Sequence, residues 1–260
     1  MPKNAATTEK QQTQHQLDMA TQPAKRLRMM LAAGEDVIEA WRVLALTNYN
    51  VVSEILRHQG TFFQWDHYPK GDVYDRQTHA QYFYHAHSVG GRDTEHGHFH
   101  TFMRAKGMAR GVKPINRPDQ SNWPSGTDAL SHIIGISMDA KGIPIRLFTT
   151  NRWVTGEAWY KARDIVKIIR FYSIVHAQPS WPTNRWVSGM VRLFWPQIIR
   201  LIQARDMCID AWEKQNPEQD VFEDRRLEVT SQVDINVDVQ ITAVKAALAV
   251  KAEAKQARTE

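Results

Sequence analysis

Tyr84-His85-Ala86-His87-Ser88-Val89-Gly90-Gly91-Arg92-Asp93-Thr94-Glu95-His96-Gly97-His98-Phe99-His100 reads as two strands folded back on one another. Gly90-Gly91 suits a two-residue hairpin turn, because type I′ needs positive φ at both central positions. Side chains two apart on a strand share a face. His85 and His87 therefore point one way, and His96, His98 and His100 share a face of their own. The two-residue turn sets a register in which His87 faces Thr94, His85 faces His96, Phe83 faces His98 and Gln81 faces His100. All five imidazoles then lie on one face of the ribbon, and a longer loop would shift that register.

Outward from the hairpin, the pattern alternates between strands and amphipathic helices. Residues 130–138 and 143–150 read as strands joined by the turn Asp139-Ala140-Lys141-Gly142. The segment Trp65–Asp75, crowded with Asp, His and aromatic residues around Pro69 and Gly71, reads as an ordered loop. The cleanest strand signal spans 227–241, where Leu227, Val229, Val233, Ile235, Val237, Val239 and Ile241 alternate with polar residues. Three-and-four spacing predicts helices over 35–58, 156–173 and 184–214, the last bent near Pro196. The stretch 105–128 has no clear period. The resulting expectation is an α+β fold, an antiparallel sheet containing the His-rich hairpin packed with amphipathic helices. Residues 1–24 are expected to be a disordered tail, 25–245 one domain, and 246–260 a frayed helical tail.

Composition narrows the function classes. Hydrophobic content of 42% in 260 residues is enough for a sizeable core. A net charge of +5 is spread among interspersed acids with no dense basic block, which argues against nucleic acid. Cys208 is the only cysteine, so an intramolecular disulfide and a multi-cysteine zinc site are both excluded. No apolar run reaches the length of about 18 residues that spans a bilayer. A cytoplasmic protein is the expectation.

Five of the eleven histidines fall in the hairpin, which makes it the candidate site. Opposed Cβ atoms about 4.5–5.5 Å apart allow two imidazoles to converge on one ion. The candidate metal ligands are His85, His87, His96, His98, His100, the neighbouring-strand His132, and the carboxylates Asp72 and Asp75. Glu95 points away on a regular strand and would join only through a bulge. Imidazole suits several divalent metals, with zinc or iron expected. Arg152, after a strand end, is a candidate for holding an anionic small-molecule substrate.

His96-Gly97-His98-Phe99-His100-Thr101-Phe102 resembles the histidine-triad signature, although Gly97 and Thr101 stand where that superfamily prefers apolar residues. The resemblance implies nucleotide or phosphoester chemistry with His98 as the catalytic nucleophile. Through the Trp65–Asp75 loop, Tyr84–His100 and Leu147–Glu157, the chain as a whole resembles an uncharacterised bacterial family, a domain of unknown function. The heptad Thr150-Asn151-Arg152-Trp153-Val154-Thr155-Gly156 recurs as Thr183-Asn184-Arg185-Trp186-Val187-Ser188-Gly189. Both copies are expected to open helical stretches, with Thr155 as an N-cap. Three functions fit these features: a metalloprotein or metalloenzyme, a metal-independent phosphoester enzyme using His98, and an interaction module. The last would self-associate or recruit a partner through the long C-terminal strand.

Overall fold

The computed structural model describes residues 17–86, 94–117 and 120–257. His87 and the Gly90-Gly91 turn lie outside the described residues. The fold is α+β. Six strands form one antiparallel sheet in chain order: β1 (Tyr68–Tyr74), β2 (Ala80–His85), β3 (Gly97–Arg104), β4 (Leu130–Met138), β5 (Pro144–Thr150) and β6 (Val229–Asp234). The helices are α1 (Ala24–Ala45), α2 (Val51–Leu56), α3 (Arg152–Thr155), α4 (Ala162–Ile168), α5 (Trp181–Leu193), α6 (Trp195–Gln215) and α7 (Val237–Gln256). None of the helices among the described residues is long and apolar enough to cross a membrane.

One sheet face carries Tyr82, Tyr84, Phe99, Ile134, Ile136 and Leu147 into the core shared with the helices. Trp186 of α5 meets Phe99 there, with ring centres 5.4 Å apart. Tyr82 Oη donates to Asn184 Oδ1 of the same helix at 2.6 Å, which satisfies a fully buried hydroxyl. The opposite face carries Phe83, His85, His98, His100, Phe102 and Phe148, whose rings touch one another. It is on this second face that the histidines meet.

The β2–β3 register pairs His85 with His98, Phe83 with His100 and Gln81 with Phe102. This is displaced by two residues from the register of a two-residue turn. A displacement by two preserves side-chain parity, so the histidines stay on the expected face and only their partners change. Between β3 and β4 the register slips at Thr101/Phe102, so that Thr101 pairs with Ile134 but Phe102 with His132. That bulge is decisive for the site. Regular alternation from Ile134 and Ile136 would send His132 into the helix-covered core, and the extra residue turns it back to the histidine face.

Several elements depart from the local pattern. The helix expected over 35–58 is two helices, separated at Asn48 (φ 60°) and restarted by Asn50. Asn50 Oδ1 accepts from the Val52 and Ser53 amides while Ser53 Oγ accepts from the Asn50 amide, forming a capping box. The Trp65–Asp75 loop contains edge strand β1, where an edge position tolerates Pro69. Of the helix expected over 156–173, only α4 forms, followed by a 3-10 turn. Thr155 is the last residue of α3 and not an N-cap. Residues 17–24, assigned to the disordered tail, include a 3-10 turn whose Met19 is buried with Leu27, Met30, Val244 and Ala247.

The largest correction concerns 227–241. Its alternation ends at β6, and α7 begins at Val237. Asn236 caps the helix by accepting from the Val239 amide, and Asp238 sits in the first turn. Val237, Gln240, Val244 and Ala247 are the buried positions, at three- and four-residue steps. The proposed long pairing strand is therefore a six-residue edge strand.

Gly135 of β4 pairs with Phe148 of β5 and leaves room for its ring. A Cβ at Gly135 would meet three Phe148 ring carbons at 2.4–2.7 Å. Phe148 is 2% exposed and contacts the rings of His98 and His100, so it has little room to retreat. Gly135→Ala is expected to destabilise the fold by about 1–3 kcal/mol through overpacking. Urea unfolding would show this, and an unchanged midpoint would mean that the Phe148 ring can move aside.

Candidate metal centre

β2 supplies His85, and β3 supplies His98 and His100 two residues apart. One ring nitrogen from each lies within 4.8 Å of the other two, so these three residues could hold a metal ion. Their ring centres are 4.5–5.2 Å apart and the rings stand nearly edge-on to one another. His98 and His100 are buried and His85 is half-buried. The cluster is therefore approached from the His85 side.

Each buried ring is oriented from behind. His98 Nδ1 lies 2.5 Å from Glu95 Oε1, and Glu95 is itself buried. A carboxylate on Nδ1 fixes the tautomer and leaves Nε2 facing the cluster. His100 Nδ1 lies 3.0 Å from His132 Nε2. Burial first, then His98 and His132 nearby, hold the His100 pKa well below the usual histidine range. Burial, with Arg205 adding to it, lowers that of His132 to about 3. Both rings are thus neutral at pH 7, as a metal-ligating imidazole and its support require. A neutral His132 that accepts at Nε2 makes His100 the donor from Nδ1, which turns the His100 Nε2 lone pair toward the cluster.

His85 Nε2 and His98 Nε2 are only 2.6 Å apart. That is a hydrogen-bond distance, at which one ring nitrogen donates its proton to the other, and a bound ion would displace that proton. Zinc ligands at 2.0–2.1 Å in tetrahedral array stand about 3.3 Å apart, so this pair would open by under about 1 Å to hold an ion.

The remaining expected ligands lie elsewhere. His96 is exposed; its Nδ1 shares a 2.6 Å hydrogen bond with Tyr84 Oη, and its ring stacks on Phe62. The chain enters β3 only at Gly97, so strand parity does not extend back to His96, and Glu95 takes the place beside His98 instead. This reverses the demotion of Glu95. His132 stands behind His100 and outside the three-residue group. Asp75 is a turn anchor: its carboxylate accepts from the amides of Gln77, Thr78 and Val175. Asp72 reaches His67 Nδ1 at 3.0 Å and accepts from Gln81 Nε2 at 2.7 Å. His67 stacks on Phe83 at 3.6 Å and stands edge-on to His85 at 6.0 Å. Arg152 is buried away from the cluster, paired with Glu223, donating to the Glu157 carbonyl and lying over Trp123.

Behind His132, Glu157 is fully buried. Its carboxylate accepts from the His132 amide at 2.7 Å and from Ser131 Oγ at 3.3 Å. Burial raises its pKa to about 7, with Arg205 opposing the rise. A raised carboxyl pKa contributes stability that is complete below the unfolded value of about 4.5 and is lost as pH rises through 7. At about 1.4 kcal/mol per pH unit the loss is roughly 3 kcal/mol. Glu157→Gln is expected to remove this dependence, measured as the difference in unfolding free energy between pH 5 and pH 8. An equal pH 5-to-8 loss in variant and parent would assign it to another group.

The chain belongs to the family described as Domain of unknown function (DUF6969), whose model matches residues 31–235. The match does not show the histidine-triad resemblance. No curated protein and no solved structure matches the chain.

Proposed function

We propose that this member of the DUF6969 family is a metalloprotein that binds one divalent ion, zinc before iron, through His85, His98 and His100. The observation that carries this reading is the convergence of three imidazole nitrogens within 4.8 Å on a rigid sheet face. Its support is the orientation of both buried rings from behind, by Glu95 and His132. Three histidines with an open fourth position form a catalytic zinc set, whereas facial iron sites add a carboxylate ligand. Here the adjacent carboxylate, Glu95, is engaged with His98 Nδ1. When bound, such an ion would acidify a coordinated water and polarise a substrate oxygen. The chain's own part is to hold three lone pairs inward and keep His100 and His132 unprotonated. Phe83 and Phe148 would exclude bulk water from the buried side.

Metal analysis of protein purified without a polyhistidine tag tests this. About one zinc per chain is expected, and close to none in His85→Ala. Protein that takes up no zinc even when it is supplied would overturn the reading. That outcome would favour metal-free chemistry, for which the 2.5 Å Glu95–His98 pair is the specific support, with Glu95 raising the basicity of His98.

A further inference from the structure

The accessible side of the cluster is the side of His85, and aromatic rings stand there. Trp65 meets the His85 ring edge-on at 6.5 Å, and His67 does so at 6.0 Å. His67 also lines a cavity of 640 Å³ together with Phe63, Tyr68, Lys70 and Asp72. That volume lies within the range of about 300–1,000 Å³ typical of small-molecule sites.

The segment that brings these rings to the mouth leaves them in solvent. Phe62, Phe63 and Trp65 are 39%, 60% and 65% exposed. Phe62 stacks on Tyr68 with ring centres 5.1 Å apart, and backbone hydrogen bonds hold Phe63 and Trp65. The Phe63 amide donates to Tyr68 Oη at 2.6 Å, and Tyr68 Oη donates to the Phe63 carbonyl at 3.2 Å. The Trp65 amide donates to the Ala86 carbonyl at 2.8 Å, at the end of β2. Trp65 holds φ at 73°, a conformation that a bulky side chain rarely adopts. Three exposed large rings within four residues, one of them on a strained backbone, contribute little to the fold. Fixed exposed aromatics of this kind present flat apolar area to a ligand at low entropic cost.

We infer that the substrate or ligand of the histidine centre is a small molecule pairing an aromatic body with a metal-binding oxygen head. The head would reach the three imidazoles, and the ring would lie against Trp65 beside His85 and against Phe63 of the cavity wall. This assignment rests on the metal reading above. Asp66, Lys70 and Asp72 all line the cavity, so its charges are of both signs and the body is recognised by its flat apolar surface.

Two hydroxamates separate the parts of this inference. Both carry the same metal-binding head, and only benzohydroxamate has a ring. Calorimetric titration of the full chain loaded with zinc is expected to show benzohydroxamate binding at least tenfold more tightly than acetohydroxamate. In Phe63→Ala and Trp65→Ala that ratio is expected to fall toward one while acetohydroxamate affinity stays unchanged. Both positions are largely exposed, and circular dichroism would confirm the fold of each variant. Equal affinities of the two probes in the parent protein would overturn the aromatic assignment and leave the metal reading intact. A ratio unaltered by both substitutions would also overturn it, because the ring would then bind elsewhere. Failure of zinc loading itself would remove the metal reading and this inference with it.

Discussion

His98→Ala is expected to reduce zinc binding to near zero, a loss of at least a thousandfold in affinity, whereas Glu95→Gln is expected to cost 10–100-fold. The difference follows from position. His98 is the central ring of the cluster, within 4.5 Å of His85 and 4.7 Å of His100, so its removal leaves two nitrogens facing a void. Glu95 acts on His98 Nδ1 from behind at 2.5 Å. Its amide replacement keeps an acceptor for the same N–H but removes the charge that strengthens His98 as a ligand. His132→Gln acts in the same way on His100 and is expected to fall in the Glu95→Gln range. Competition titration with a chromogenic chelator would rank the four proteins. Equal loss in Glu95→Gln and His98→Ala would mean that Glu95 is a ligand itself. No loss in His98→Ala would eliminate the centre.

Acid sensitivity of the metal-free protein is the second large effect. His132 titrates near 3 in the fold because burial, with Arg205 adding to it, penalises the cation. The unfolded chain takes up that proton near 6.5. A depressed histidine pKa contributes stability that is present above the unfolded value and is lost as pH falls toward the folded one. At about 1.4 kcal/mol per pH unit, His132 alone removes on the order of 5 kcal/mol between pH 6.5 and pH 3. That is a large share of the 5–15 kcal/mol that stabilises a typical domain. His100 is shifted in the same direction and steepens the fall. Glu157 works oppositely between pH 4.5 and 7, so the two effects partly cancel there and acid loss dominates below pH 4.5. Unfolding free energy measured from pH 4.5 to pH 3.5 should fall in the parent and less so in His132→Gln. Parallel curves for the two proteins would show that His132 is not the group being titrated.

The internal repeat shows how little a local string decides. In the first copy Asn151 accepts from the Arg152 amide to open α3, Trp153 Nε1 donates to the Leu227 carbonyl, and Gly156 ends the helix at φ 62°. In the second copy the whole heptad lies inside α5, where Asn184 accepts from Tyr82 Oη. Gly189 there lies against Val37 of α1, where a Cβ would stand 2.8 Å from its side chain. Six shared residues thus form two different structures, because the partners across the fold differ. Neither arginine reaches the histidines: Arg152 pairs with Glu223 and Arg185 with Asp36.

Period-two spacing was enough to read β2, β3, β4 and β5 and to place His85, His98 and His100 on a common face. Side-chain parity survives any even shift of register, which is why that part held although the pairing moved by two residues. Other decisions depended on contacts distant in sequence. Glu95 entered the site because the chain bends before Gly97, and His132 joined through a bulge that no local residue signals. Val237, Val239 and Ile241 continue a strand pattern, yet an Asn236 cap and a core face against α1 made them helical. The sequence by itself determined that His85, His98 and His100 share a face of the hairpin, since alternation is a property of the backbone. Only the tertiary structure decided which of those histidines converge and what orients them, since bulges, caps and burial arise from packing between segments.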